Sequence, residues 1–184
     1  MGTNSQIVIV GTGFHGNGQL SDYYASVFYN YDHPAYVILR DGSLERTPSG
    51  YGHTVAIENA GPVVLHNSLW MPAKRNKEGK FVPTTTDADK AVRVPYEYCS
   101  CKPYHGCQHY EYVSTKQLAT LREVIAKWLG ESGIRYPYDN QLGEICPRAV
   151  AGKSGIYFAS SFDKSRSDIH PQKEIIDIIK AYAS

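Results

Sequence analysis

Arg166, Ser167 and Asp168 put a guanidinium two residues ahead of a carboxylate, between the short apolar run Ile156-Tyr157-Phe158 and Pro171. A cation and a carboxylate at the mouth of a strand can hold an anion or stabilise developing charge, and open α/β sheets keep their sites at such strand ends. A second donor-rich stretch runs from Tyr96 to Tyr112, where Cys99, Cys101, His105, Cys107 and His109 supply the thiolates and imidazoles that suit tetrahedral zinc. Its spacing lacks a Cys-x-x-Cys knuckle, so an aromatic-rich loop with free thiols competes with a metal site. A zinc held there would be structural, because four protein ligands close the shell. His15 stands on a glycine-rich loop, which pre-organises a ligand poorly, and its plain reading is a solvent-exposed histidine.

The elements that must position these groups can be read from periodicity. Gln6 to Val10 is a β-branched run bounded by Gly11-Thr12-Gly13, a buried first strand entering a loop. Leu20 to Asn30 has Ser21 as an N-cap and a stripe of Tyr24, Val27 and Phe28, hence a helix. Ala35 to Leu39 reads as a strand turning at Arg40-Asp41-Gly42-Ser43, and Thr54 to Ile57 as a strand with Val55 and Ile57 on one face and Ala56 and Glu58 on the other. Val63 to Val94 reads as a hairpin plus a long surface loop. Ser114 to Leu129 is the clearest helix, capped by Ser114 or Thr115, striped by Leu118, Leu121, Ile125, Trp128 and Leu129, and stopped by Gly130. A last helix starts near Pro171 and buries Ile175, Ile176, Ile178 and Ile179, with Asp168 or His170 to cap it.

Length and composition set the frame. The 184 residues suffice for one domain with a sizeable core, and a net charge of +1 gives no electrostatic case for a nucleic-acid polymer or an anionic membrane. Residues 1–5 are polar and Ile7 to Val10 is too short for a signal h-region, so the expected location is the cytoplasm. Three of the four cysteines crowd into residues 99–107, unlike a disulfide framework. The 15 tyrosines are the compositional outlier and suit pocket walls or an interface, including one between copies of the chain.

Several of these motifs together resemble one family. Gly155 to Pro171 resembles the end of the type 2 N-acetylmuramoyl-L-alanine amidases, the T7-type lysozymes and the peptidoglycan recognition proteins, where a strand delivers a zinc-binding His and a Lys-Ser/Thr-Asp-Pro-like motif supplies a cation and the last ligand. Arg166-Ser167-Asp168 falls on that motif. Ala35 to Leu44 is similar to the family's strand and hairpin, and Tyr51-Gly52-His53 with Thr54 to Gly61 is similar to its Trp-His-Ala-Gly loop and following strand. Gln117 and Leu121 fall in register with its Thr-x-x-Gln-x-x-x-Leu helix. The resemblance implies a single amidase-like domain over residues 1–184, a central mixed β-sheet flanked by helices, with a surface loop insertion around 66–112. It also implies that His53 borders a substrate groove.

The same resemblance locates what is missing. Its first zinc-binding His falls on Val10 or Gly11 and its second on Phe158 or Ala159, Pro34 stands where the T7-type members keep an active-site Tyr, and only Asp168 of the ligand trio remains. Arg166 keeps the charge of the oxyanion-stabilising Lys with a different geometry. The expectation is therefore a pseudoenzyme with no groove metal that binds or sequesters an anionic small molecule: a muropeptide, or a nucleotide-type signal as in phage anti-defence proteins. Contacts are expected from His15, Tyr36, Tyr51, His53, Asn59, Arg166 and Asp168, since Arg and Tyr hold and stack on anionic planar groups. The alternatives are a zinc amidase with ligands relocated to His15, His53 and Asp168, and a partner-binding module using Tyr96 to Tyr112.

Overall fold

The computed structural model of the chain describes residues 6–12, 34–47, 52–58, 63–66, 69–78, 80–83, 92–93, 98–104, 107–132, 144–163, 166, 169–170 and 172–182, largely as backbone alone in the strands between 63 and 109. In chain order these form β1 (Gln6–Gly11), β2 (Tyr36–Ile38), β3 (Leu44–Arg46), β4 (His53–Ile57), β5 (Val63–His66), β6 (Leu69–Arg75), β7 (Phe81–Pro83), β8 (Val92–Arg93), β9 (Tyr98–Tyr104) and β10 (Cys107–Glu111). Helix α1 (Thr115–Ser132), the short α2 (Pro147–Val150), β11 (Gly155–Phe158) and helix α3 (Lys173–Tyr182) follow.

Five strands make a mixed sheet in the order β11-β1-β4-β2-β3. The first four are mutually parallel, with Ile9 opposite both Phe158 and Val55 and Ile38 opposite Ile57, and β3 returns antiparallel on β2. Parallel strands covered on both faces read as unbroken apolar runs, which is why Ile7-Val8-Ile9-Val10 lands in the middle of the sheet. Alternation then sorts the side chains. Ile7, Ile9, Ile38, Val55, Ile57, Ile156 and Phe158 meet Leu121, Val124, Ile125 and Trp128 of α1 and Ile175, Ile178 and Ile179 of α3 in one core. Val10, Val37, Ala56 and Ala159 form a cluster of their own, and Tyr157 packs with Ala149 of α2 and with Cys146 just before it. Each fully buried Ile, Leu or Phe contributes about 1.5–3 kcal/mol of transfer free energy.

The β2–β3 turn shows why glycine is needed at one place. Asp41 Oδ1 accepts the backbone N–H and the hydroxyl of Ser43, at 2.8 and 2.6 Å, and Gly42 adopts φ +87°. A Cβ on Gly42 would lie 2.8 Å from Lys116 Cβ, so the turn is pressed directly onto α1. Thr120 Oγ1 donates to Gly42 O at 2.6 Å and fixes that contact.

The expected strands and the two long helices are present, with shifted ends. Helix α1 runs through Gly130 to Ser132, because the packing of Leu121, Ile125 and Trp128 on the sheet outweighs the roughly 1 kcal/mol cost of an internal glycine. Helix α3 begins at Lys173, and Ile176 is half-buried while Ile175, Ile178 and Ile179 are buried, the narrower stripe of a helix resting on one neighbour. The hairpin expected within 63–94 is present as β5 and β6, with β7 and β8 added on β6, residues 84–91 lying outside the described residues, and the loop expected over 96–112 is instead the strand pair β9 and β10. Pro72, Pro83 and Pro103 interrupt the alternation from which such strands are read. The helix expected over Leu20 to Asn30 lies outside the described residues.

Helix α1 enters the sheet through a capping box. Gln117 N–H donates to Ser114 Oγ (3.2 Å) and Ser114 N–H donates to Gln117 Oε1 (3.0 Å), the reciprocal pattern of Ser-x-x-Gln. The remaining amide hydrogens of Gln117 go to Glu58 O (3.1 Å) and Ile38 O (3.4 Å), so one buried side chain also holds the ends of β4 and β2. Gln117→Leu keeps the volume but strands these partners, and a fall in unfolding free energy of about 1–3 kcal/mol, read by urea denaturation, is expected.

Candidate functional site

The carboxyl ends of β11, β1, β4 and β2 lie side by side, followed by Ala159-Ser160-Ser161, Thr12, Glu58 and Leu39-Arg40. Thr12 N–H donates to Ile57 O (3.0 Å), carrying the pairing of β1 and β4 one residue past the sheet. Glu58 Oε2 accepts the backbone N–H of Arg40 at 2.7 Å, so this carboxylate anchors a strand end. The Arg40 guanidinium reaches across to β10 and grips Glu111 with two bonds of 3.0 Å, and Ser114 Oγ donates to Arg40 O (3.2 Å). With Glu111 only 9% exposed, this two-pronged pair ties the edge to the corner between β10 and α1.

On the other side of β1, β11 runs into a 3-10 turn, Ala159–Ser161, that is wholly buried. Ser161 O accepts the N–H of Cys146 (3.0 Å), while the buried Ser161 hydroxyl has no hydrogen-bond partner among the described residues. Arg166 follows, half-buried, its N–H donated to Asp163 O at 3.0 Å.

Zinc is the metal that the resemblance implies, and the residues at this edge do not fit it. The positions equated with the two imidazoles, Val10 or Gly11 and Phe158 or Ala159, are buried and carry no donor side chain. Val10 and Ala159 share one apolar cluster, where carbon packs against carbon. No group of three His, Cys, Asp or Glu side chains converges among the described residues.

Two of the expected contacts lie at the opposite end of the sheet. Tyr36 opens β2 and His53 opens β4, about 13 Å along the strand from Ile57. Their rings gather on Trp128 of α1, with His53 stacked at 5.0 Å and Tyr36 tilted at 5.8 Å, and Lys127 Nζ lies 3.4 Å from the Tyr36 hydroxyl. The structure thus brings Tyr36 and His53 together, but away from Arg166. His15, Tyr51, Asn59 and Asp168 lie outside the described residues.

The thiol-rich stretch is an antiparallel pair of strands, β9 and β10. In the backbone register Cys99 pairs with Tyr110, Ser100 with His109 and Tyr104 with Cys107. The register shifts between Cys107 and His109, with Cys101 on the facing strand inside the irregular stretch. His105 lies outside the described residues.

Sequence reasoning passed over Ser160 and Ser161, although two hydroxyls directly after an apolar strand mark a strand mouth. It could not have found Ile169, a buried β-branched residue at φ +59°, because no sequence signal accompanies such a conformation in a residue other than glycine, asparagine or aspartate. The neighbouring His170 packs on the buried Tyr110 ring at 5.0 Å, and burial holds its imidazole below the ordinary value of 6.5.

Removing Glu111 alone (Glu111→Leu) leaves a part-buried guanidinium without its carboxylate and is expected to cost about 1–3 kcal/mol. Arg40→Met combined with Glu111→Leu should recover more than half of that loss, as a double-mutant cycle on urea midpoints would measure. For His170 the folded chain disfavours the imidazolium, so protons bind the unfolded chain better. Stability is intact at neutral pH and declines as pH drops below about 6.5, and His170→Phe should flatten that decline between pH 7.5 and 5.5.

Compared with family models, curated proteins and solved structures, the chain matches none of them.

Proposed function

We propose that this chain is a catalytically silent protein of amidase-like fold that binds an anionic small molecule at the carboxyl edge of its parallel sheet. One observation carries the reading. The two strands that the resemblance equates with the imidazole-bearing strands, β1 and β11, are neighbours in register, and of the positions at issue, Val10 or Gly11 and Phe158 or Ala159, Val10 and Ala159 belong to one buried apolar cluster. Two imidazoles there would converge on one metal; a valine and an alanine give instead a dry aliphatic floor at the strand mouths. Support also comes from chain order: the motifs that carry the resemblance fall on β1, the β2–β3 hairpin, β4, α1 and β11, four of them in one mixed sheet and the fifth packed on it.

Such a site holds a ligand without cleaving it. Amide hydrolysis needs a nucleophilic water and a stabilised oxyanion, and among the described residues the equated positions bring no metal donor, while Arg166 can stabilise negative charge. A guanidinium beside an apolar floor recognises a carboxylate or phosphate through paired hydrogen bonds, while the floor takes the ligand's apolar part.

Native mass spectrometry of freshly purified full-length protein tests this, before and after chelation and under denaturing conditions. The expected result is one anionic small molecule that survives chelation and leaves on denaturation, with occupancy about tenfold lower in Arg166→Ala. One stoichiometric zinc lost on chelation, together with release of peptide from muropeptides by the pure protein, would overturn the proposal.

A further inference from the structure

We propose that this chain associates with a second copy of itself, as a two-fold dimer, through the apolar surface around α2 beside edge strand β11. Among the described residues the exposed large hydrophobic side chains are Leu44, Ile145, Val150 and Phe162. Leu44 stands by itself on β3, at one edge of the five-stranded sheet. The other three gather on segments that pack against β11, the strand at the opposite edge.

Local bonds bring these three together. Cys146 N–H donates to Ser161 O at 3.0 Å, which sets Ile145 and Phe162, the adjoining residues of the two segments, side by side. Val150 N–H donates to Cys146 O at 3.1 Å, one helical turn on. Cys146, Ala149 and Tyr157 form a small buried nucleus there, and the Phe162 ring meets the Tyr157 ring edge-on at 5.9 Å. Val150 is nevertheless 63% exposed. Single apolar residues scattered over a surface need no explanation, but three around one buried nucleus mark a contact surface.

Charge indicates what covers it. Glu144 adjoins Ile145 and Arg148 lies in α2; both are exposed, and neither has an ion-pair partner among the described residues. Lys153 N–H donates to Arg148 O at 3.0 Å, so a second exposed cation stands beside the first. The surface therefore carries an anion next to Ile145 and cations near Val150. A two-fold axis through its apolar centre sets Glu144 of each copy against Arg148 of the other, an arrangement in which one patch is its own complement. A partner of a single charge sign would instead meet like charge on one side. Three apolar side chains make a small contact, so the dimer is weak and forms at high chain concentration.

Sedimentation equilibrium of the full-length protein over about 5–500 μM tests this. The mass should rise from monomer toward dimer across that range. Val150→Glu and Ile145→Glu put like charges at the centre of the contact and should each raise the dissociation constant about tenfold or more. Both positions are exposed, so melting temperatures should stay within about 2 °C, which separates a lost dimer from a lost fold. Glu144→Arg and Arg148→Glu should each weaken the dimer, and the two together, which exchange the charges, should regain most of that loss. A chain that stays monomeric throughout would overturn the proposal. So would a dimer that tolerates both Val150→Glu and Ile145→Glu, or one for which the charge exchange does no better than the single reversals.

Discussion

The side-chain amide of Gln117 is the constraint on which the arrangement depends. Buried to 1% exposure, it spends its oxygen on Ser114 N–H and its hydrogens on the carbonyls of Glu58 and Ile38, so the start of α1 and the ends of two parallel strands meet at one group. Gln172, just ahead of α3, has both its amide oxygen and its amide nitrogen bonded to the backbone of Val113. Helix starts and strand ends both leave backbone groups unpaired, and burying them together is affordable only if something short and bifunctional pairs them. Two glutamines meet that need, and the Arg40–Glu111 pair closes the remaining side.

This bracing gives the sheet two unlike ends. At the amino ends of β2 and β4, Tyr36 and His53 lean on Trp128 and extend the apolar core. Towards the carboxyl ends, Val10, Val37, Ala56 and Ala159 form a separate buried apolar cluster, and the buried Ser160 and Ser161 follow β11. Carbon side chains in such a cluster offer no donor to a metal.

Much of the fold was legible in the sequence. The run Ile7 to Val10, the alternation of Val55 and Ile57 against Ala56, the Ser114 cap with its leucine and isoleucine stripe, and the Asp41-Gly42 turn each carry a local signal strong enough to set their own structure. Beyond the hairpin expected after Val63, the strands up to 111 were not legible, because prolines and clustered tyrosines and cysteines blur a two-residue period. The site was legible in part. Arg166 could be singled out by its neighbours, but Tyr36 and His53 were grouped with it on motif likeness, and motif likeness does not say at which end of a strand a residue will stand.

The sequence by itself determined which segments are strands and helices in the core, and that Val10, Gly11, Phe158 and Ala159 bring no metal donors, since side-chain chemistry needs no coordinates. Only tertiary structure decided that β1 and β11 are neighbours, that Val10 meets Ala159, that Glu58 is consumed by Arg40, and that the hydroxyl of Ser161 is buried. The reason is that periodicity is local, reaching a few residues along the chain, whereas strand pairing joins residues nearly 150 positions apart, as Ile7 and Ile156 are, through burial that no single segment can specify.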